Sequence, residues 1–213
     1  MQLSDSIIIP DGVDKPLFYS PLTDTNVAKS GNLPHWEQSG KTVFVTFRLV
    51  DSLPQEKLVR WREEETLWIA KHPQPWDETT RLEHDRSFDL RFERWLDAGY
   101  GECLMRDRGV QQLVQKVIRH FDGDRYRIYG CVVMPNHVHV CFTPLRGNVV
   151  ATIIKSWKSF SSRQINECLG RNGAVWQKEY FDRYVRSWGH FERIMRYIKR
   201  NDPRRAWLIS DLK

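Results

Sequence analysis

The 213-residue sequence lacks several features that would place it in well-known classes of protein. It has no run of about 20 uncharged apolar residues, so no membrane-spanning helix is expected. The first eleven residues contain no Lys or Arg, unlike a secretory signal peptide. The four cysteines are widely spaced and form no Cys-x-x-Cys pair, which argues against a zinc ribbon or a disulfide framework. These absences favour a protein of the reducing cytoplasm.

The charge of the chain is unevenly distributed. In total, 33 Lys and Arg face 27 Asp and Glu, for a net charge of +6, and 40% hydrophobic residues are typical of a globular protein. Residues 54–97 carry eight basic and eleven acidic residues, whereas residues 178–213 carry ten basic and five acidic ones. A basic C-terminal end in a chain with nine Trp and seven Tyr fits a polyanionic partner. A solvated helix face explains the same charge about as well.

The order of the predicted elements indicates an α+β fold. Residues 1–40 predict an irregular arm, residues 41–207 a single domain and residues 208–213 a tail. A strand at 41–49 is followed by two charged helical segments within 54–98, the first with Ser52 as a possible N-cap. The remaining elements are predicted as a helix at 110–121, strands at 126–134 and 137–143, a helix at 148–169 with Ile153, Ile154, Trp157 and Phe160 facing inward, a short strand at 184–186 and a helix at 191–201. Without the 54–98 insertion, this order predicts a ferredoxin-like antiparallel sheet with helices on one face and one added C-terminal helix.

Two histidines form the most informative local pattern. His137 and His139 follow a Pro-Asn turn in a predicted strand, so their side chains share one face while Val138 and Val140 share the other. Two imidazoles on a rigid strand can converge on one divalent cation. A bare His-x-His pair is more often part of a polar sheet face, but the apolar strand and the turn around this pair favour a site.

A tyrosine on the last predicted helix is the second candidate. Tyr197 flanks the apolar stripe of that helix, and Asn201 lies one turn later on the same side. A tyrosine hydroxyl can attack phosphorus, and an amide oxygen is a suitable ligand for Mg²⁺ or Mn²⁺. A half-buried tyrosine that closes the core is the plainer interpretation. Tyr180 and Tyr184 are rival nucleophiles or, more simply, packing residues.

The order of these segments resembles the single-tyrosine HUH transposases of the IS200-like superfamily, in particular their branch associated with repetitive extragenic palindromes (REP). The resemblance covers residues 33–207. The matching segments are Leu33-Pro34-His35-Trp36, Val43-Phe44-Val45-Thr46-Phe47-Arg48, Val132-Val133-Met134-Pro135-Asn136-His137-Val138-His139, Lys155-Ser156-Trp157-Lys158-Ser159-Phe160, Val175-Trp176-Gln177-Lys178-Glu179-Tyr180-Phe181-Asp182-Arg183 and Tyr197-Ile198-Lys199-Arg200-Asn201-Asp202-Pro203. Asp202, between Asn201 and Pro203, departs from the Asn-Pro pair usual in that family.

The resemblance implies a metal-dependent endonuclease and strand transferase that acts on single-stranded DNA beside palindromic hairpins. Tyr197 would form a 5′-phosphotyrosine and release a 3′-hydroxyl, while His137, His139 and Asn201 would hold Mg²⁺ or Mn²⁺. The protein would then act in the cytoplasm, at the nucleoid, as a monomer or a dimer. Candidate DNA-binding residues are Lys155, Lys158, Arg163, Arg183, Arg186, Arg193, Arg196 and Trp176.

Three alternatives remain open at this point. A replication initiator or relaxase of the same superfamily often uses a third histidine, for which His190 is the nearest candidate. A DNA-binding relative that no longer cleaves would bind hairpins without forming an adduct. A metal-dependent hydrolase would cleave without a covalent protein–DNA intermediate.

Overall fold

The computed structural model describes residues 7–20, 26–30, 33–73, 76–202, 204 and 206–209, with the backbone alone for 26–30 and 33–37. The strands are β1 (Asn26–Ser30), β2 (Leu33–Glu37), β3 (Val43–Arg48), β4 (Tyr126–Val133), β5 (His137–Pro144), β6 (Phe181–Tyr184) and β7 (Ala206–Leu208). The helices are α1 (Gln55–Lys71), α2 (Glu78–His84), α3 (Leu90–Asp97), α4 (Arg108–Arg119), α5 (Val150–Cys168) and α6 (Trp188–Asn201). Asp85–Asp89 forms a π-helical turn between α2 and α3. None of the helices described is long and apolar enough to cross a bilayer.

Five strands form one antiparallel sheet in the order β6-β3-β5-β4-β7. The sequence β3-α4-β4-β5-α5-β6, with β5 between β3 and β4 and β6 beside β3, is the ferredoxin-like arrangement. The predicted fold class is therefore confirmed. The central strand is β5, which pairs with β3 on one side and with β4 on the other.

The two faces of the sheet are covered by different helices because side chains alternate along each strand. Helices α4 and α5 pack on one face, where β5 contributes Val138, Val140 and Phe142. Helix α6 packs on the opposite face, against residues such as Phe44 and Cys141. The polar side chains of β5 that share a face with Cys141 therefore point toward α6.

Three helices lie between β3 and α4, outside the ferredoxin-like arrangement. These helices, α1 to α3, are called the inserted helices below. They share an apolar cluster that includes Trp61, Phe88, Phe92 and Leu96. The ring of Phe181 on β6 lies 4.2 Å from that of Phe92, so this cluster is joined to the edge strand of the sheet.

Several local predictions differ from the structure. Ser52 is not the N-cap of α1, because Pro54 occupies that position and the Ser52 hydroxyl donates to the Leu49 carbonyl. Phe160 is 48% exposed and lies outside the core, although Ile153, Ile154 and Trp157 are buried as predicted.

Strand predictions also need correction. Residues 26–37, expected to be irregular, contain the paired strands β1 and β2. The short strand expected at 184–186 spans Phe181–Tyr184, and the predicted tail contains the end of β7. A short strand contains too few residues to show a clear periodicity, so pairing with neighbouring strands decides where it forms.

Gly101 holds the chain that leaves the inserted helices close to β3. Its φ is +85°, and an added Cβ would lie 2.6 Å from the carbonyl oxygen of Asp51. We expect Gly101→Ala to lower the free energy of unfolding by about 3 kcal/mol, because backbone strain and a steric clash add up. The control Gly147→Ala, at φ +73° with no atom within 4 Å, should lose only about 1 kcal/mol. Urea unfolding of both variants checks this, and equal losses would contradict it.

Candidate active site

The two histidines of β5 lie side by side at the centre of the sheet, on the face covered by α6. Nε2 of His137 is 3.1 Å from Nε2 of His139, and both side chains are buried. Alternation along β5 places them together, as the sequence predicts. Two ring nitrogens that face each other at this distance are suited to share a proton or a cation.

The outer nitrogen of each histidine ring is held by a neighbouring side chain. Nδ1 of His137 lies 2.8 Å from Oδ1 of Asn136, whose Nδ2 donates to the Tyr100 carbonyl. Nδ1 of His139 lies 2.8 Å from the Thr46 hydroxyl on β3, its partner in the strand register. Partners of this kind fix the ring orientation in metal sites and leave Nε2 available as the ligand atom.

Burial keeps both rings uncharged. Burial lowers the pKa of His137 to about 3. Burial, with a smaller contribution from repulsion by His137, lowers the pKa of His139 well below its usual value. Neutral imidazole is the form that binds metal ions. The donor set of two inward-facing Nε2 atoms with supported outer nitrogens therefore fits a divalent cation.

Tyr197 reaches this pair from α6. Its hydroxyl lies 3.1 Å from Nε2 of His139, and its ring meets that of Phe44 edge to face. Burial raises the pKa of Tyr197 well above its usual value, and the negative charge of Glu93 adds to the shift. The side chain of Asn201 lies beside the Tyr197 hydroxyl, and its Nδ2 is buried with no hydrogen-bond partner among the residues described. The structure thus brings together His137, His139, Tyr197 and Asn201.

The inserted helices also reach the site, through two carboxylates on α3. Glu93 lies beside the Tyr197 hydroxyl and 3.6 Å from Nη2 of Arg183. Burial raises the pKa of Glu93 to about 7, although the charge of Arg183 opposes the shift. Oδ1 of Asp97 lies 3.7 Å from Nε2 of His137. The candidate site is therefore built from the sheet, from α6 and from the inserted helices.

An open, basic pocket adjoins Tyr197 on the outer side of α6. Its volume is about 440 Å³, and it is lined by Arg193, Arg196, Arg200, Tyr197 and Asn201. The three arginines are exposed. They recur at helical spacing and so point the same way as Tyr197. The pocket offers positive charge to an anion that approaches the tyrosine.

The predicted basic residues of α5 do not share this surface. Lys155 and Arg163 are exposed, but α5 covers the face of the sheet opposite to α6. Nζ of Lys158 donates to the carbonyls of Gln177, Lys178 and Glu179. Burial lowers its pKa to about 8. One groove lined by all the predicted residues is therefore not formed, and Lys158 instead holds the loop before β6.

Other predicted contacts with DNA are also corrected. Trp176 is 7% exposed, lies against Phe47 and donates to the Ser161 hydroxyl, so its faces are not available to bases. Arg183 is bound to Asp89, 3.1 Å away, as well as to Glu93, and holds the inserted helices on β6. Arg186 is exposed, with its guanidinium over the ring of Tyr19.

The remaining candidates of the sequence are separated from the histidine pair. Tyr180 and Tyr184 are buried in the core on the α5 side of the sheet, as expected of packing residues. His190 lies two turns before Tyr197 on α6, about 10 Å along the helix axis. Its ring accepts from the backbone N–H of Arg186. A cluster of three histidines around one cation is therefore not supported.

Comparison with known families finds a match for the part of the chain that carries these residues. Residues 102–201 match the family model described as "Transposase IS200 like". The match covers just under half of the chain, and this part is similar to an IS200-like transposase domain. The matched residues include the histidine pair, Tyr197 and Asn201, whereas the inserted helices precede them.

Two solved structures are similar to this chain. One is the REP-associated tyrosine transposase bound to a REP hairpin, at 15% identity and a TM-score of 0.45, covering 82% of this chain and 74% of that one. The other is a protein from Deinococcus radiodurans R1 assigned as a transposase, at 14% identity and a TM-score of 0.36, covering 82% of this chain and 98% of that one. No curated protein matches the chain.

Four residues around the candidate site were not found from the sequence. Asn136 directly precedes His137, so its position was a usable signal. The side chain of Thr46 lies on the same face of β3 as that of Phe44, but only the strand register places it opposite His139. Glu93 and Asp97 had no signal, because nothing local to α3 indicates which part of the domain it packs against.

A second cluster of potential ligands lies in the inserted helices. His84, Asp85 and Asp89 have ligand atoms within 4.8 Å of one another. Each already has an oppositely charged neighbour, since Nε2 of His84 lies 3.2 Å from Glu65 and Asp89 binds Arg183. We interpret this cluster as an internal network of ion pairs.

The protonation of His84 is expected to make stability depend on pH. Burial alone would lower its pKa, but hydrogen bonds to Asp85 and Glu65 and nearby negative charge raise the pKa to about 9. A raised pKa stabilises the fold below the unfolded-state value of about 6.5, and this stabilisation is lost as the pH rises through about 9. We expect the free energy of unfolding to fall by roughly 2 to 3 kcal/mol between these values. Urea unfolding at pH 6 and pH 9 measures the fall, which should be much smaller in His84→Gln. An equal fall in both proteins would contradict the assignment.

Proposed function

We propose that this chain is a divalent-cation-dependent tyrosine endonuclease and strand transferase that cleaves single-stranded DNA beside palindromic hairpins. The observation that carries the proposal is the contact of the Tyr197 hydroxyl with His139, at 3.1 Å, next to the paired Nε2 atoms of His137 and His139. A nucleophile and a cation site at this spacing can act on the same phosphate group. The family match supports the transposase activity on which the finer proposal is built.

The proposed reaction is a transfer of one phosphodiester. The Tyr197 oxygen attacks the scissile phosphorus and forms a 5′-phosphotyrosine, and the bond to the 3′ oxygen breaks to release a 3′-hydroxyl. A cation bound by His137 and His139 would polarise the phosphate and stabilise the leaving oxygen. The attack of a 3′-hydroxyl on the phosphotyrosine reverses the step and joins strands. The phosphotyrosine conserves the energy of the bond, so ATP is not required.

The residues around Tyr197 have distinct roles in this proposal. Glu93 is the carboxylate next to the hydroxyl, and with a pKa of about 7 it can take up the phenolic proton near neutral pH. The leaving 3′ oxygen takes up a proton from water to become the 3′-hydroxyl. Asn201 is a further candidate ligand for the cation. The exposed Arg193, Arg196 and Arg200 bind the DNA backbone at the pocket.

The proposed specificity for hairpins rests on the resemblance to the REP-associated branch. A similar solved protein is bound to a REP hairpin. In this chain, Trp188 is 41% exposed at the start of α6 and can stack on an unpaired base. With DNA as the substrate, the protein would act at the nucleoid in the cytoplasm.

A covalent trapping assay tests the proposal. Single-stranded hairpin DNA, taken from the repeats that flank the coding region, is incubated with the protein in Mg²⁺, in Mn²⁺ or in EDTA and separated on a denaturing gel. We expect a cation-dependent protein–DNA adduct, and none with a DNA strand whose stem is scrambled. Binding without any adduct would favour a non-cleaving relative, and cleavage without an adduct would favour a hydrolase.

A further inference from the structure

Asp97, the last residue of α3, brings a carboxylate from the inserted helices to the histidine pair. Its Oδ1 lies 3.7 Å from Nε2 of His137. We infer that Asp97 is a protein ligand of the divalent cation held by His137 and His139, so that the inserted helices complete the cation site. This inference rests on the proposed function, because it concerns the same cation.

The hydrogen bonds of Asn136 determine which nitrogen of His137 faces Asp97 with a lone pair. Because Nδ2 of Asn136 donates to the Tyr100 carbonyl at 3.0 Å, its Oδ1 is turned to Nδ1 of His137. An amide oxygen can only accept, so the proton of the neutral ring is on Nδ1. The lone pair of Nε2 therefore points toward Asp97 and His139.

The carboxylate of Asp97 thus faces another acceptor. Within the residues described, His137 is the one basic side chain that contacts it. The guanidinium of Arg183 is bound to Asp89 and Glu93. A carboxylate turned to a ring nitrogen lone pair repels it unless positive charge lies between them. A divalent cation in this position would be attracted by both groups.

The distances are close to those of a shared cation. Ligand atoms at about 2.1 Å from one ion lie roughly 3 to 4 Å apart. The two Nε2 atoms are separated by 3.1 Å, and Nε2 of His137 and Oδ1 of Asp97 by 3.7 Å. Asp97 does not lie within 4.8 Å of both histidine nitrogens, so its side chain must turn toward His139. It is 39% exposed at the end of a helix, which leaves room for this rotation.

The charge of Asp97 distinguishes it from Asn201, the ligand expected from the sequence. Mg²⁺ and Mn²⁺ prefer carboxylate oxygens, and two neutral imidazoles with an amide would give these ions no anionic ligand. With Asp97 the protein ligands carry one negative charge. Asp97 should therefore contribute more to cation affinity than Asn201 does.

Titration calorimetry of the full-length protein with MnCl₂, without DNA, tests the inference. We expect Asp97→Asn to weaken Mn²⁺ binding at least about tenfold, and Asn201→Ala to weaken it less. Glu83→Gln is the matched control, because Glu83 is an exposed carboxylate on the same inserted helices. It should bind Mn²⁺ like the unmodified protein. Circular dichroism establishes that each variant is folded, and Asp97→Ala provides a second variant.

The outcomes separate this inference from the proposed function. If Asp97→Asn and Asp97→Ala bind Mn²⁺ as tightly as the unmodified protein does, while His137→Ala does not bind it, Asp97 is not a ligand but the cation site stands. If the unmodified protein binds no Mn²⁺, or binds it equally well without His137, both the inference and the cation dependence of the proposed function are overturned.

Discussion

Tyr197→Phe is expected to form no covalent adduct with hairpin DNA, a loss of at least about a thousandfold in cleavage. The change removes one oxygen, which is the atom proposed to attack phosphorus. The ring remains, so its edge-to-face contact with Phe44 and the packing of α6 are preserved. The variant should therefore bind the same DNA with nearly unchanged affinity. Adduct formation on a denaturing gel and DNA affinity by fluorescence anisotropy measure the two effects separately.

The matched controls for this prediction are Tyr180→Phe and Tyr184→Phe. Both tyrosines lie in the core on the opposite face of the sheet, so their hydroxyls are not available to DNA. Each variant should still form the adduct. If the adduct persists in Tyr197→Phe and disappears in one of these two variants, the nucleophile is the tyrosine that was replaced in that variant.

His137→Ala and His139→Ala are expected to reduce cation-dependent cleavage at least about a hundredfold. Each change removes one of the two Nε2 atoms that lie 3.1 Å apart, and one imidazole alone binds a divalent cation weakly. Both variants should also lose Mn²⁺ binding in calorimetry. Single-turnover cleavage at increasing Mn²⁺ concentrations measures the loss, and high concentrations should recover only part of the rate.

His190→Ala serves as the control for the histidine variants. His190 lies two helical turns before Tyr197, and its ring accepts from the backbone N–H of Arg186. The His190→Ala variant should retain both cleavage and Mn²⁺ binding. Loss of Mn²⁺ affinity in His190→Ala would instead favour a three-histidine site, as in replication initiators and relaxases.

The identity of the chemical groups was predictable from local patterns. Strand alternation places His137 and His139 on one face, and helical spacing places Tyr197 and Asn201 on one side of α6. The structure places these two sets of residues next to each other, with the Tyr197 hydroxyl 3.1 Å from Nε2 of His139. The roles assigned to them in catalysis remain predictions that the variants above test.

The DNA-binding residues were predicted less well, because charge alone does not indicate a face of the protein. Lys155 and Arg193 are both basic and exposed, but α5 and α6 cover opposite faces of the sheet. Trp176 and Arg183 have the residue types of a nucleic-acid contact, yet one is buried and the other is held by two carboxylates. Exposure is decided by packing between elements that are distant in sequence.

The sequence by itself determined the fold class, the order of the elements in the ferredoxin-like arrangement, and the strand and helix that carry the candidate site. Those features follow from periodicities of two and of about 3.6 residues, which local sequence contains. Only the tertiary structure decided that the inserted helices bring Glu93 to Tyr197 and Asp97 to His137. Such contacts depend on how Phe181 and Arg183 hold those helices against the sheet edge, about 90 residues away in sequence. A periodic pattern within one segment does not indicate which distant segment that segment packs against.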